Sequence, residues 1–106
     1  MAELGHAEAQ RELGIAYIEG LGVEKNGDEA VKWLQKSADA GNLRALGNLG
    51  MMFLMSELVE KDAEKGLKML REAAEKGDAT AQTNLGMIYV QGKYVPKDGA
   101  EAVKWL

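Results

Sequence analysis

The chain repeats itself with a period of 36 residues, and this period constrains the fold more than any other feature of the sequence. Residues 5–34 and 77–106 are identical at 17 of 30 aligned positions, where unrelated chains of average composition would share about two. Three columns recur in every copy without a gap: Leu13, Leu49 and Leu85; Gly14, Gly50 and Gly86; Tyr17, Phe53 and Tyr89. A repeat of this length is typical of a solenoid, in which each unit buries its apolar side against the next.

Each copy has the pattern of two helices. In the first copy, apolar residues recur at helical spacing over 7–19 and again over 27–40. Gly41 and Gly77 follow the second segment, as left-handed helix terminators do. The residues at predicted N-cap positions are His6, Asn26, Asn42, Asp78 and Asp98. The sequence therefore predicts an all-α fold, an α/α superhelix of about three 36-residue helix–turn–helix repeats. We expect a single domain over 1–106, with repeats 5–40, 41–76 and 77–106, and with 1–4 as the tail of a preceding repeat.

Composition excludes several classes of site. The chain has no cysteine and one histidine, which excludes disulfides, thiolate metal sites and cysteine nucleophiles. Its net charge of −4 disfavours nucleic acid as a partner. No apolar run approaches the roughly 20 residues of a membrane helix, and the N-terminus lacks the features of a signal peptide. No catalytic residue, metal ligand or cofactor is predicted, and His6 is interpreted as a surface or helix-start residue.

Two features of the repeat carry structural expectations. The glycine column at 14, 50 and 86 predicts that the two helices of each repeat approach closely there. The middle copy departs from the pattern, because its loop lacks the glycines of the first copy, Gly66 replaces an alanine and Met69 replaces a tryptophan. We expect the first helix of that copy to run about one turn longer.

The sequence resembles the Sel-one-like repeat family, a relative of the tetratricopeptide repeat. The marks are A-x-A-Q, L-G-x-x-Y, a loop that ends in valine, and A-x-x-W, as in AEAQRELGIAYIEGLGVEKNGDEAVKWLQKSADAG and ATAQTNLGMIYVQGKYVPKDGAEAVKWL. The resemblance covers the whole chain. It implies a scaffold for protein–protein interaction. Because this family is common in bacteria, it favours a bacterial protein, cytoplasmic or exported, although the sequence does not reveal the compartment.

Matching L-G-x-x-Y to the tetratricopeptide repeat implies a concave groove for a partner. Met51, Leu54 and Met55 belong to a run of five apolar residues that cannot all face one neighbour on a helix. Methionine suits a groove that accepts varied apolar side chains, and two arginines are expected to pair with a partner's carboxylates. The predicted groove consists of Arg11, Ile15, Ile18, Arg44, Met51, Leu54, Met55, Met87 and Val90.

The sequence is compatible with three functions. The favoured one is an adaptor that binds a protein or peptide on its concave face. The alternative is an assembly unit that stacks end to end, in which Tyr89, Trp105 and Leu106 of one molecule contact the region around Leu4 of another. A hydrolase is the least favoured, since one histidine and no cysteine offer little from which to build a catalytic site.

Overall fold

The computed structural model describes residues 2–106, with side chains from His6 onward. This part of the chain forms six α-helices and no strand, which confirms the all-α solenoid. The helices are α1 (Ala2–Glu19), α2 (Gly27–Asp39), α3 (Leu43–Met55), α4 (Ala63–Glu75), α5 (Ala79–Gln91) and α6 (Gly99–Trp105). Within residues 2–106, no helix is long and apolar enough to cross a membrane.

The predicted caps set the helix ends. The side chains of Asn26, Asn42, Asp78 and Asp98 each accept a hydrogen bond from the backbone N–H three residues later, as N-caps do. Gly41 and Gly77 have φ of 99° and 107°, and their N–H groups bond back to the preceding helix. This left-handed turn satisfies the last carbonyls of α2 and α4 and starts the next repeat two residues later.

The helices pack as pairs, α1 with α2, α3 with α4, and α5 with α6, and the pairs stack in chain order. Helices α1, α3 and α5 form one layer, and α2, α4 and α6 form the other. The leucines of the repeat fill the space between the layers, and four of them have no solvent exposure: Leu34, Leu49, Leu70 and Leu85. The core consists of two clusters, one that contains Leu34 and Leu49 and one that contains Leu70 and Leu85. Each cluster crosses a repeat boundary, as expected for a solenoid.

The glycine column marks close approach of paired helices, as predicted. A Cβ atom at Gly50 would lie 2.8 Å from the carbonyl oxygen of Gly66 and 2.9 Å from the backbone nitrogen of Leu70. At Gly14 the nearest atom is Cγ of Leu34, at 2.8 Å. Real Cβ atoms do not come this close to neighbouring atoms, so a residue without a side chain is required for the packing.

Two local predictions are wrong. His6 is not an N-cap, because α1 begins at Ala2 and runs through Gly5 and His6 without a break. The helix of the middle repeat is not extended either, since α3 ends at Met55, the register equivalent of the last residues of α1 and α5. Ser56 leaves the helix in an extended conformation (φ −77°, ψ 139°), so α3 ends there without a glycine.

Candidate functional site

A shallow apolar depression lies between α1 and α3. Its volume is about 350 Å³, within the range of ligand-binding clefts. Four predicted groove residues line it together, two from each helix: Ile15, Ile18, Met51 and Met55. Met55 has 51% of its surface exposed, whereas the other three are partly buried. The remaining lining residues are Glu19, Asn48, Met52 and Ser56.

Leu54 does not belong to the surface of the groove, and its assignment there is wrong. Its side chain is only 2% exposed and packs in the core with Leu70 and Ala73. The reason lies in Gly66, which stands where the other repeats have alanine. A Cβ atom at Gly66 would lie 2.9 Å from Cγ of Leu54, so the missing methyl group makes room for the leucine. In the other two repeats an alanine stands at this position, and the equivalents of Leu54 are partly buried (Ile18) or exposed (Val90).

Met87 and Val90 continue the apolar surface on α5. They are 43% and 48% exposed, but neither lines the depression between α1 and α3. Since α5 packs beside α3 in the same layer, both residues lie in the next repeat along the array. The predicted groove is thus divided into a depression on the first two repeats and exposed apolar side chains on the third.

The two predicted arginines have different surroundings. Glu8 accepts hydrogen bonds from Nε and Nη2 of Arg11, at 3.2 and 2.5 Å, and from Nδ2 of Asn42 at 3.0 Å. These bonds, that of Arg11 first, lower the pKa of Glu8 from 4.5 to about 2, helped by the charges of Arg11 and Arg44. Arg11 is therefore engaged within the chain, while Arg44 is exposed and has no carboxylate within 4.0 Å among residues 6–106.

Asn48 is a lining residue that the sequence prediction missed. Its Oδ1 atom is shielded from solvent, and no residue that the structure describes donates a hydrogen bond to it. Helical periodicity could have identified it, because Asn48, Met51, Met52 and Met55 follow the spacing i, i+3, i+4, i+7 on one face of α3. Asn48 thus carries an acceptor unpaired within the described residues, shielded beside the apolar lining of the depression.

No residue cluster in the described part of the chain has the geometry of a metal site. From His6 onward, no three histidine, aspartate or glutamate side chains converge closely enough to hold an ion. His6 itself is exposed on α1. The candidate functional features of the described residues are therefore the apolar surfaces and their charged rims.

Comparison with solved structures confirms the architecture. The chain is 35% identical to a Sel1 repeat protein from Oxalobacter formigenes, with a TM-score of 0.79, and the match covers 93% of this chain and 41% of that one. It is 36% identical to c5321, a protective antigen of uropathogenic Escherichia coli with an SLR fold, with a TM-score of 0.82. That match covers 98% of this chain and 22% of the antigen. The chain thus spans less than half the length of these two structures.

Curated relatives match over a stretch slightly longer than one repeat. DAP3-binding cell death enhancer 1 of Rattus norvegicus is 51% identical over 41 residues, which are 39% of this chain and 8% of that protein. A putative sel1-like repeat-containing protein, L18, of Acanthamoeba polyphaga mimivirus is 44% identical over 41 residues, or 7% of its length. The likeness to these two proteins is confined to the repeat.

The Sel1 repeat family matches this chain three times, at residues 7–42, 43–78 and 79–106. These repeats start two residues later than the glycine-based divisions, at the first helical residues of α3 and α5. Sel1 repeats generally serve as protein–protein interaction modules and are generally non-catalytic. With all three copies matched, the chain belongs to the Sel1 repeat family.

Proposed function

We propose that this chain is an adaptor that binds a segment of a partner protein in the depression between α1 and α3. The observation that carries the proposal is the apolar lining of that depression by Ile15, Ile18, Met51 and Met55. Methionine side chains are flexible and polarizable, so a surface that contains two of them can adapt to different apolar side chains. Contact with a partner would remove this apolar surface from water.

Two polar groups give the depression orientation and specificity. The Oδ1 atom of Asn48 is shielded and unpaired within the described residues, and a buried acceptor without a donor is costly. Reorientation of the Asn48 amide would bring this acceptor to the surface of the depression, where a backbone N–H of a bound segment would donate to it. Arg44 lies one turn before Asn48 on α3, outside the lining of the depression, and is the predicted arginine that Glu8 does not engage. An extended or helical segment with apolar side chains and one carboxylate fits this arrangement.

Site-specific photocrosslinking tests the proposal. A photoreactive residue at position 55 should capture a partner in an extract of the source cells, and the captured peptide should contain apolar side chains. Met55→Glu should abolish capture of that partner by immobilised protein, because it places a charge in the apolar depression. Leu21→Glu is the matched control, since Leu21 is 65% exposed in the loop after α1 and lies outside the depression. Equal capture by wild type and Met55→Glu would contradict the proposal.

Self-association is a second candidate, supported by the surface of α6. Val103 and Leu106 are large apolar residues with 78% and 65% of their surface exposed. We propose that this exposed apolar surface packs against a different surface of another molecule of the chain, in a head-to-tail contact. Light scattering should then show a mass that rises with concentration, and Val103→Glu should prevent the rise. A constant monomer mass at all concentrations would exclude this second candidate.

We further propose that the chain has no catalytic activity. Its single histidine is exposed on α1 and has no side-chain hydrogen bond within the described residues, so none of the side chains from His6 onward orients it as a general base. A panel of ester, phosphate and peptide substrates tests this proposal directly. Turnover that survives repurification and disappears in His6→Ala would overturn it.

A further inference from the structure

A second cavity lies between α2 and α4 and shares no residue with the depression between α1 and α3. Its volume is about 420 Å³. Apolar side chains form one part of its lining, namely Ala38, Leu43, Leu46 and Met69. Polar and charged side chains form its walls, from Gln35 and Asp39 on α2 and from Lys65, Lys68, Glu72 and Lys76 on α4.

Two departures from the repeat pattern meet in this cavity. Met69 stands where the other copies have Trp33 and Trp105, and Leu46 stands where they have Gln10 and Gln82. Where the second and third repeats meet, Trp105 packs against the core, and Nε2 of Gln82 donates a hydrogen bond to the carbonyl oxygen of Ala74 at 3.0 Å. Methionine is smaller than tryptophan, and leucine cannot make that bond. The contact between the first and second repeats is therefore more open and more apolar than the contact between the second and third.

The lining of the cavity has a small positive charge, because three lysines stand against the two carboxylates of Asp39 and Glu72. Asp39 accepts a hydrogen bond from Nε2 of Gln35 at 2.9 Å, and Glu72 pairs with Nζ of Lys76 at 3.2 Å. Lys65 and Lys68 are exposed and have no carboxylate within 4.0 Å among residues 6–106. The ammonium of Lys65 lies 4.6 Å from the centre of the Phe53 ring, which leaves Lys68 as the freest cation beside the cavity.

We propose that the cavity between α2 and α4 binds a partner protein by taking one tryptophan-like side chain from an acidic segment. The other two repeats have a tryptophan at the position of Met69, so the partner's indole would occupy the space that the smaller methionine leaves open. Large aromatic anchors in such pockets dominate many interfaces. Carboxylates beside the anchor complement Lys68, on a chain whose net charge of −4 otherwise repels acidic partners. The same molecule therefore has two docking sites, one on each layer of helices.

Peptide titration tests this site without knowledge of the natural partner. The probe is a fluorescein-labelled peptide of sequence Glu-Glu-Trp-Glu-Glu, titrated with the 106-residue chain in low salt. We expect saturable binding that shifts the methyl NMR signals of Met69 and Leu46 but not that of Met55. Replacement of the peptide's tryptophan by alanine should weaken binding at least about tenfold, as the loss of an interface anchor does. Replacement of its glutamates by lysines should abolish binding.

Variants of the chain make the test specific. Met69→Trp installs the residue that the other two repeats carry, so it should fold and lower affinity at least about tenfold by filling the cavity. Lys68→Glu should weaken binding severalfold at low salt. Lys32→Glu, the same change at the equivalent position of α2 and outside the cavity, is the matched control and should leave affinity unchanged. Met55→Glu should also have no effect, which separates this site from the depression between α1 and α3.

Four outcomes would overturn the proposal. The first is unchanged affinity in Met69→Trp, and the second is binding that shifts the methyl signal of Met55 instead of Met69. The third is the absence of saturable binding by the tryptophan peptide at millimolar protein. A dimer that Met69→Trp abolishes would also overturn it, because the occupant would then be a second copy of this chain.

Discussion

The close approach of α3 and α4 predicts that two glycines one turn apart respond in opposite directions to the same substitution. A Cβ atom at Gly50 would lie 2.8 Å from the carbonyl oxygen of Gly66 and 2.9 Å from the nitrogen of Leu70. A Cβ atom at Gly47 would lie 3.6 Å from Cβ of Ala81, which is ordinary van der Waals contact. Both glycines lie within α3 and are buried, so they differ mainly in the space available.

The magnitudes follow from these distances. Replacement of a helical glycine by alanine is worth about 1 kcal/mol from helix propensity alone, and Gly47→Ala should realise about 0.5–1 kcal/mol of this as added stability. At Gly50 the obstructing atoms belong to the backbone, so the helices must separate, and overpacking of this kind costs about 1–3 kcal/mol. Because the clash is with backbone atoms, Gly50→Ala should fall in the upper part of that range. Subtraction of the propensity gain of about 1 kcal/mol leaves a net destabilisation of about 1–2 kcal/mol. Gly50→Val should destabilise further, because its side chain is larger and β-branched.

Thermal and urea unfolding of the two alanine variants, followed by circular dichroism, measures the difference. A separation of about 2 kcal/mol corresponds to melting temperatures roughly 10 °C apart for a domain of this size. Gly47→Ala serves as the control, since it has the same helix, the same chemistry and the same change in unfolded-chain entropy. If Gly50→Ala is as stable as Gly47→Ala, the glycine column is not needed for close packing and the reasoning is refuted.

Three further predictions concern individual side chains. Leu54→Glu should unfold the protein or destabilise it by at least about 3 kcal/mol, because it buries a charge in the core, whereas Met55→Glu should change stability by less than about 0.5 kcal/mol at its exposed site. Acidification from pH 4.5 towards pH 2 should destabilise wild type more than Glu8→Gln. The pKa of Glu8 is lower in the folded state than in the unfolded state, so its ionised form stabilises the fold above pH 4.5, and this stabilisation is lost as the pH falls towards 2. Ser37→Ala should cost about 1 kcal/mol, since the buried hydroxyl donates to the carbonyl oxygen of Ala7 at 2.6 Å.

Unfolding midpoints and their dependence on pH check these three predictions. Unfolding midpoints of Leu54→Glu and Met55→Glu should separate widely, and similar midpoints would show that Leu54 is not a core residue. The difference between wild type and Glu8→Gln should stay below about 1 kcal/mol, because the Glu8 side chain is 45% exposed and screened by solvent. Identical pH profiles for these two proteins would contradict the account of Glu8. An unchanged midpoint in Ser37→Ala would show that its hydrogen bond makes no net contribution.

Much of the fold follows from the sequence alone. The repeats and most helix ends were predicted from the 36-residue period, the helical spacing of the apolar residues, and the caps at Asn26, Asn42, Asp78 and Asp98. These features are local, because a cap or a left-handed glycine acts within a few residues of its own position. The glycine column was also readable, since a costly residue that recurs inside helices needs a packing reason.

The tertiary structure alone decided which apolar residues are accessible. Leu54 is buried while its equivalents are not, because Gly66 on another helix lacks the methyl group that would exclude it. The pairing of Glu8 with Arg11 is local to α1, but Asn42 donates to Glu8 from the next repeat, and this contact is one that α1 alone does not specify. The cavity at Met69 depends on residues from α2, α3 and α4. Burial and pairing are set by contacts between helices, and the sequence pattern of one helix records only which of its residues share a face.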